Sequence, residues 1–355
     1  MSSEGDGNME YSLHQRGRAA IDFLVDLRHQ SNRLENSSDQ YAQDMGIVSS
    51  NLPRDPDELQ QRITPVMQEC LDFRMLRMMR EWQLDQHGWI AIDAFEEIRD
   101  AVEPALQALQ VGPTTITHAD KLKAPAYWDG YEFHRSAGGW DGHDYMGFVH
   151  GELIHHRMIG TTFAGAIYEE RKNVAGLAPN PNPEKILEMG CASGQFTTAL
   201  AKTYPASEIW ACDLSRRQLE QAQRRANEMG ARWHLLEAAA EATGLPDEYF
   251  DLVASYAIFH ELPTVIAKQV LQETFRLLKP GGYTVVGDVT AYHVQDAYTR
   301  WKADFWNQIH GGDPFWREYA TTDLAELARA VGFSEANWSG VGESQHPFVL
   351  IAKKT

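Results

Sequence analysis

Between Ile186 and Gly194 the chain reads Ile-Leu-Glu-Met-Gly-Cys-Ala-Ser-Gly, an apolar run that passes an acid, Glu188, and ends between two glycines. Where a strand closes and a helix opens, Gly190 and Gly194 leave bare backbone, because a Cβ there would obstruct both the sharp turn and a ligand's approach. The helix start adds free N–H groups and partial positive charge, which suit a phosphate or a carboxylate. Asp213 closes the next apolar run, 19 residues beyond Gly194, where a carboxylate can accept two hydrogen bonds from ribose hydroxyls. Two ligand chemistries compete for this pattern. A dinucleotide wants G-x-G-x-x-G, whereas the chain offers G-x-x-x-G behind Glu188. A carboxylate repels a pyrophosphate and attracts an amine. S-adenosylmethionine carries an ammonium, a sulfonium and a carboxylate on one short chain, so it is the expected cofactor.

Further groups could act on a second ligand. Ser255-Tyr256-Ala257-Ile258-Phe259-His260-Glu261 follows an apolar run and falls on the carboxyl edge of a parallel sheet, where such folds bind ligands. His260 could contact a substrate or act as a base, or it could cap the next helix. Asp288 to His293 returns to the same edge, and His293 has the same two readings. Six histidines fall in residues 118–156: His118, His134, His143, His150, His155 and His156. A metal is conceivable there beside Asp141, Asp144 and Glu152. However, no HExxH occurs and His150 and Glu152 do not share an i, i+4 face, so no bound metal is expected. Tyr145, His150 and His155 are expected to line a lid over the cofactor, with His150 a further candidate base. An aromatic stretch holding Tyr292, Tyr298, Trp301, Phe305, Trp306, Phe315, Trp316 and Tyr319 could roof a pocket with apolar walls or serve as a packing or dimer surface. Tyr145, His155, Tyr256, Trp301 and Trp306 are the expected substrate contacts.

Composition bounds the rest. The chain has 355 residues, 43% hydrophobic and 23% charged, which allows two globular domains of ~150 residues or one elaborated domain. A net charge of −18, from 50 acids against 32 bases, argues against a nucleic-acid or anionic-membrane surface, which needs Lys and Arg to neutralise phosphate. Three cysteines without CxxC spacing suggest neither a disulfide framework nor a zinc knuckle. No apolar run is long enough to span a bilayer, and the polar start lacks a signal core. A reduced, cytoplasmic protein is the expectation.

The elements that must position these groups follow from pattern. Residues 1–13 read as disordered. Residues 14–180 read as a mostly helical region with substrate, lid or dimerisation roles. Within it the helical run 58–84 could break at Pro65, the run 92–110 could break at Pro104, and 112–150 is rich in Gly, His and aromatics. After Ala-Pro-Asn-Pro-Asn-Pro, residues 181–355 alternate short apolar strands with helices, which implies βαβ units and a parallel sheet, interrupted by the aromatic insertion 290–320.

Residues 184–290 resemble the core of class I S-adenosylmethionine-dependent methyltransferases, of the type 11/25 kind. Glu188 to Gly194 is similar to that family's acid-x-Gly-x-Gly-x-Gly loop, with Ala192 in place of the middle glycine. Asp213 is similar to its ribose-binding acid, Leu245-Pro246-Asp247 to its stretch before strand four, and Leu277-Leu278-Lys279-Pro280-Gly281-Gly282 to its turn before strand five. The resemblance implies a Rossmann-like, seven-stranded, mostly parallel sheet with helices on both faces, and methyl transfer to an acceptor. It implies cofactor contacts at Glu188, Gly190, Ala192, Gly194, Asp213, Leu214, Ala239, Ala240, Glu241 and Ser255. Ala239 stands where relatives carry the acid that receives the adenine amine. With the aromatic segments, the expected acceptor is a small apolar or aromatic secondary-metabolite-like molecule, handled by a homodimer. Methylation coupled to cyclisation and a non-catalytic donor-binding module are the alternatives.

Overall fold

A computed structural model describes residues 11–47, 49–119, 122–162 and 166–355. Residues 1–10 of the stretch expected to be disordered lie outside the described residues. Residues 11–13 correct that expectation. The Tyr11 ring lies 5.2 Å edge-on from Phe148, its hydroxyl donates to the Glu152 carbonyl at 3.2 Å, and Leu13 is buried.

The strands are β1 (Thr115–Thr117), β2 (Lys185–Met189), β3 (Glu208–Asp213), β4 (Trp233–Glu237), β5 (Phe250–Tyr256), β6 (Leu278–Asp288), β7 (Glu335–Gly340) and β8 (Phe348–Lys353). They form one sheet in the order β1-β4-β3-β2-β5-β6-β8-β7, parallel except where β8 pairs with β6 and β7. The seven expected strands are present, and β1 adds an eighth from the region expected to be helical. The chain runs outward from β2 to β4, then crosses back to place β5 beside β2. That reversal opens the crevice at the carboxyl ends of β2 and β5.

Both sheet faces are covered, so the central strands are apolar on both sides. Leu187 and Met189 face one layer with Val253 and Leu271, while Ile186 faces the other with Leu200, Ala222 and Leu252. Helix Arg216–Glu228 starts where Ser215 accepts the Gln218 N–H at 3.1 Å, a side-chain cap for an otherwise unpaired donor.

The N-terminal helices are α1 (Gln15–Asp44), α2 (Pro56–Glu69), α3 (Leu71–Glu96) and α4 (Arg99–Ala108). The expected proline breaks are corrected. Pro65 lies inside α2 and Pro104 inside α4, while the chain turns at extended Cys70 and again at 97–98. Both prolines are exposed, so water can take the carbonyls they leave unbonded. The α1 residues Ile21 and Leu24 pack on Ala91, Ala94 and Phe95 of α3.

The aromatic insertion does not roof a pocket with Trp301 and Trp306. Trp301 is fully buried between Phe73 and Phe305, and its indole N–H donates to the Thr64 hydroxyl at 3.0 Å. Trp306 lies 5.8 Å from Phe73 under the Arg80 guanidinium. These rings cover the apolar face of α2 and α3, which would otherwise meet water. The opposite side of α3 leaves Leu71, Met75, Met78, Trp82 and Trp89 exposed. Among the described residues no helix is long and apolar enough to cross a membrane.

A wide π-type helix, Val149–Ile159, joins the two regions. Gly151 lies so close to the loop after β2 that a Cβ there would stand 2.6 Å from Ser193 Oγ. Beside it, fully buried Glu152 accepts from Arg225 Nη2 at 2.7 Å and from Gln221 Nε2 at 3.2 Å. Removing one partner of a buried pair strands the other charge without water. Glu152→Ala should therefore lose about 3–5 kcal/mol of stability, and Glu152→Leu combined with Arg225→Met should recover part of that loss, as read from urea midpoints.

Candidate active site

The loop after β2 enters through left-handed backbone at Gly190 (φ +70°), Ala192 (φ +44°) and Gly194 (φ +84°). Glycine reaches this region freely and alanine at a cost of about 1 kcal/mol or more. Three hydrogen bonds hold the turn around the strained Ala192. The N–H groups of Gly190 and Cys191 donate to the Cys212 carbonyl at 2.9 and 3.0 Å. The Ala192 N–H itself donates to Asp213 Oδ2 at 2.8 Å. Asp213 Oδ1 accepts the Ser215 N–H at 2.8 Å. Each carboxylate oxygen keeps a further acceptor site. Burial lifts Asp213 to about 6, with the Ser215 and Ala192 N–H groups pulling it back.

Glu188 is buried beneath the loop, and its Oε2 accepts from the Thr197 hydroxyl. Burial pushes its carboxyl up to about 8, against the pull of Thr197 and Arg171. Leu214 is half-buried beside Asp213, and Ala239 and Ala240 form a buried apolar wall after β4. Glu241 receives the Tyr127 hydroxyl on both oxygens at 2.8 Å. Tyr127 was not singled out from sequence, because nothing in its segment signals a fold-back onto residue 241. Ser255 at the end of β5 is buried, and its Oγ has no hydrogen-bond partner. A close backbone turn, a carboxylate with open acceptor sites at the next strand tip, small apolar side chains and an unpaired buried hydroxyl fit an amino-acid-bearing nucleoside.

On the other side of the crevice, a short turn after β5 carries buried His260. Its Nδ1–H donates to Asp288 Oδ1 at 2.6 Å, at the end of β6. Asp288 Oδ2 also takes the Phe259 N–H at 2.8 Å. Burial opposes the charged ring, yet Asp288, Glu261 and Asp313 raise His260 to about 9. Two regions far away in sequence complete the cluster. His134 places Nε2 at 3.0 Å from Glu261 Oε1 and Nδ1 at 2.6 Å from Asp313 Oδ1, and its ring lies 6.2 Å from that of His260. Trp316 packs 5.4 Å from His260.

The remaining expected residues are scattered. His293 is exposed and packs on Trp338 and Phe348. Tyr145 lies in the helical core, where its hydroxyl donates to Glu103 at 2.7 Å. His155 is buried with Nε2 at 3.0 Å from Arg171 Nη2; burial, then Arg171, holds it well below its ordinary value. His150 packs 4.5 Å edge-on to Trp140, and burial lowers it to about 3. Tyr256 faces Phe196 at 5.3 Å with the Arg171 guanidinium over its ring.

Residues 186–282 match the family model described as a methyltransferase domain. Those residues are a class I S-adenosylmethionine-dependent methyltransferase domain. They hold the glycine turn, Glu188, Asp213 and His260, whereas His134, Asp288 and Asp313 lie outside them. Among curated proteins, the chain is 32% identical over 173 residues to a malonyl-[acyl-carrier protein] O-methyltransferase of Paenibacillus, covering 47% of this chain and 57% of that protein. It is 25% identical over 185 residues to a ubiquinone/menaquinone biosynthesis C-methyltransferase of Desulfotalea psychrophila, covering 47% and 73%. The chain thus spans little more than half the length of the first of these relatives. Among solved structures, it is 14% identical to phosphoethanolamine N-methyltransferase 2 of Haemonchus contortus, covering 52% of each chain at a TM-score of 0.40.

The state of Glu188 in the domain has a measurable consequence. Its ordinary value of 4.5 rises to about 8 in the fold. Between those limits the folded chain keeps a proton that the unfolded chain has released, so stability falls as pH rises through the window and levels off above it. The urea midpoint should therefore drop from about pH 5 to about pH 8 by more in the native sequence than in Glu188→Gln.

Proposed function

We propose that this chain transfers a methyl group from S-adenosylmethionine to a small acceptor, apolar or aromatic and of a secondary-metabolite kind. The observation that carries the reading is the meeting of the left-handed glycine turn with the Asp213 carboxylate at Ala192, inside the methyltransferase domain. The donor supplies a methyl carbon made electrophilic by its sulfonium sulfur. In this reading Gly190 and Gly194 admit its amino-acid end, with Ala192 between them and Glu188 beneath. Asp213 and Leu214 hold the sugar. Ala239, Ala240 and Glu241 border the adenine, and Ser255 offers its free hydroxyl from β5. The protein's part in such a displacement is to orient the nucleophile and exclude water.

His260, fixed by Asp288, is the group we assign to the acceptor side, with Tyr256 beside it. Trp301, Trp306 and Tyr145 have no part there, since each is committed to packing. His293 is assigned none, because it packs away from the cluster. Residues 14–180 act as a cover that contributes His134 and the helix holding His150 and His155, while residues 181–355 hold the donor. The charge balance supports a small-molecule partner over nucleic acid. The exposed apolar stripe of α3 supports a homodimer.

Donor binding tests the carrying observation. A Cβ at Gly190 would stand 2.4 Å from Ile258 Cδ1 on a left-handed backbone, so Gly190→Val should abolish binding measured by calorimetry. Asp213→Ala should weaken it by about 1–3 kcal/mol, the scale for a hydrogen bond to a charged group. Unchanged affinity in both variants would refute the assignment. For the acceptor side, His260→Ala should lower S-adenosylhomocysteine release at least ~10-fold, the low end for a lost polar catalytic contact, while donor affinity stays within a factor of two. Equal turnover would remove His260 from that role.

A further inference from the structure

Beyond methyl transfer, we infer that His134, His260 and Glu261 form a binding site for a divalent first-row transition-metal ion. One ligand atom from each of His134, His260 and Glu261 lies within 4.8 Å of the others, and Nε2 is the nitrogen that each ring leaves for an ion once Nδ1 is held by a carboxylate. Ligands held at about 2.0–2.2 Å from one ion stand about 3–4 Å apart, so shifts of roughly half an ångström in side chains close the site. His134 Nε2 and Glu261 Oε1 are already 3.0 Å apart.

Three observations distinguish the cluster from a chance meeting of polar groups. First, each imidazole is held at its other nitrogen by a buried carboxylate: His260 Nδ1 by Asp288 and His134 Nδ1 by Asp313, both at 2.6 Å. This is how metal-bound histidines are oriented and their tautomer set, with Nε2 directed at the ion. Second, His134 sits on a turn that is unfavourable by itself. His134 and Arg135 are consecutive non-glycine residues with φ of +54° and +56°, secured where the His134 N–H donates to the Gly312 carbonyl at 3.2 Å. Side chains rarely take up that backbone without something to hold it. Third, three carboxylates face two imidazoles in a place walled by Trp140 and Trp316. Charge in such a place needs a compensating cation, and a divalent ion that displaces the two imidazole protons keeps that balance.

Two histidines and one carboxylate leave coordination positions open. An acceptor's oxygen or nitrogen could occupy one of them, and the ion would then favour its deprotonated form as a nucleophile, the proton passing to solvent. The three ligands come from different parts of the chain, His134 from residues 14–180 and the other two from the methyltransferase domain. The ion thus also ties the cover to the domain.

The test reads metal without reference to turnover. The purified full chain is assayed by elemental analysis, stripped with a chelator, then titrated with Co(II) while visible absorption is followed. One equivalent per chain with ligand-field bands is expected. Glu261→Gln and His134→Ala should each weaken Co(II) binding at least ~10-fold, and Asp313→Asn, which loosens the hold on His134 Nδ1, should weaken it roughly 10-fold. His293→Ala, remote from the cluster, should bind as the native sequence does. Glu261→Gln preserves shape, so retained donor affinity and helical circular dichroism in that variant exclude misfolding. Substoichiometric Co(II) uptake, or native-like uptake by both Glu261→Gln and His134→Ala, would overturn the site. Donor binding measured on the same samples fails separately if the methyltransferase reading is wrong.

Discussion

The Arg225 guanidinium is the contact on which the arrangement of the crevice depends. It is nearly inaccessible to water, yet it donates to the Ser193 carbonyl at 3.0 Å and to Glu152 at 2.7 Å. Ser193 belongs to the turn between β2 and its helix, Glu152 to the π-type helix of the N-terminal region. One charge therefore holds the N-terminal region against the glycine turn after β2. A buried ion pair contributes little net stability against an apolar replacement, but it is unforgiving of the wrong partner. Its value here lies in register. Gly147 and Gly151 come so near Arg217 and Ser193 that any side chain would collide, and an apolar contact alone would let that helix slide.

With the cover held in place, acids crowd the crevice in two groups that are handled differently. Glu188 and Asp213 sit in low dielectric with hydroxyl or backbone N–H donors, and burial raises both. Both lie beside the glycine turn after β2. Glu261, Asp288 and Asp313 instead face imidazoles and hold them. The sheet separates the two groups through its topology: Glu188 and Asp213 lie on β2 and β3, whereas Asp288 ends β6 and His260 follows β5. The switch between β2 and β5 lies between the groups, so a ligand spanning the crevice meets one group at each end.

The half of the molecule that could be read from sequence is the half whose signals are local. The strand, glycine turn and helix of residues 186–203 each announce themselves within a few residues, as does Asp213 at a strand tip. Seven strands were legible for that reason. β1 was not, because three residues of alternating polarity carry almost no periodic signal, and their pairing with β4 depends on a partner more than a hundred residues away. His260 was legible as an edge residue, but its company was not. His134 lies 126 residues upstream in a segment without periodicity, and only the fold-back that joins His134 N–H to Gly312 makes it a neighbour. Among the six histidines of 118–156, the sequence offers no ground for choosing that one.

The aromatic insertion shows why composition misleads where tertiary demand competes. A run of Trp, Tyr and Phe beside a ligand edge suggests a pocket wall, and Trp316 does pack on His260. Trp301, Phe305 and Trp306 instead answer α2 and α3, packing with Leu59, Ile63, Met67 and Phe73 in one buried cluster. Burial of three large rings is worth more there than at a solvent-filled crevice, at roughly 25 cal/mol per Å² of apolar surface. The insertion thus divides its labour along its own length, with its first turns committed to the N-terminal helices and its last ones to the crevice. Arg317 marks the hinge between those tasks. It grips buried Asp304 in the first part through two nitrogens at 2.7 Å, one residue after the tryptophan that meets His260. Asp304 and Arg317 thus join the rings packed on α2 and α3 to the residue beside Trp316, so the helical region is connected to the crevice without contributing a side chain to it at that point.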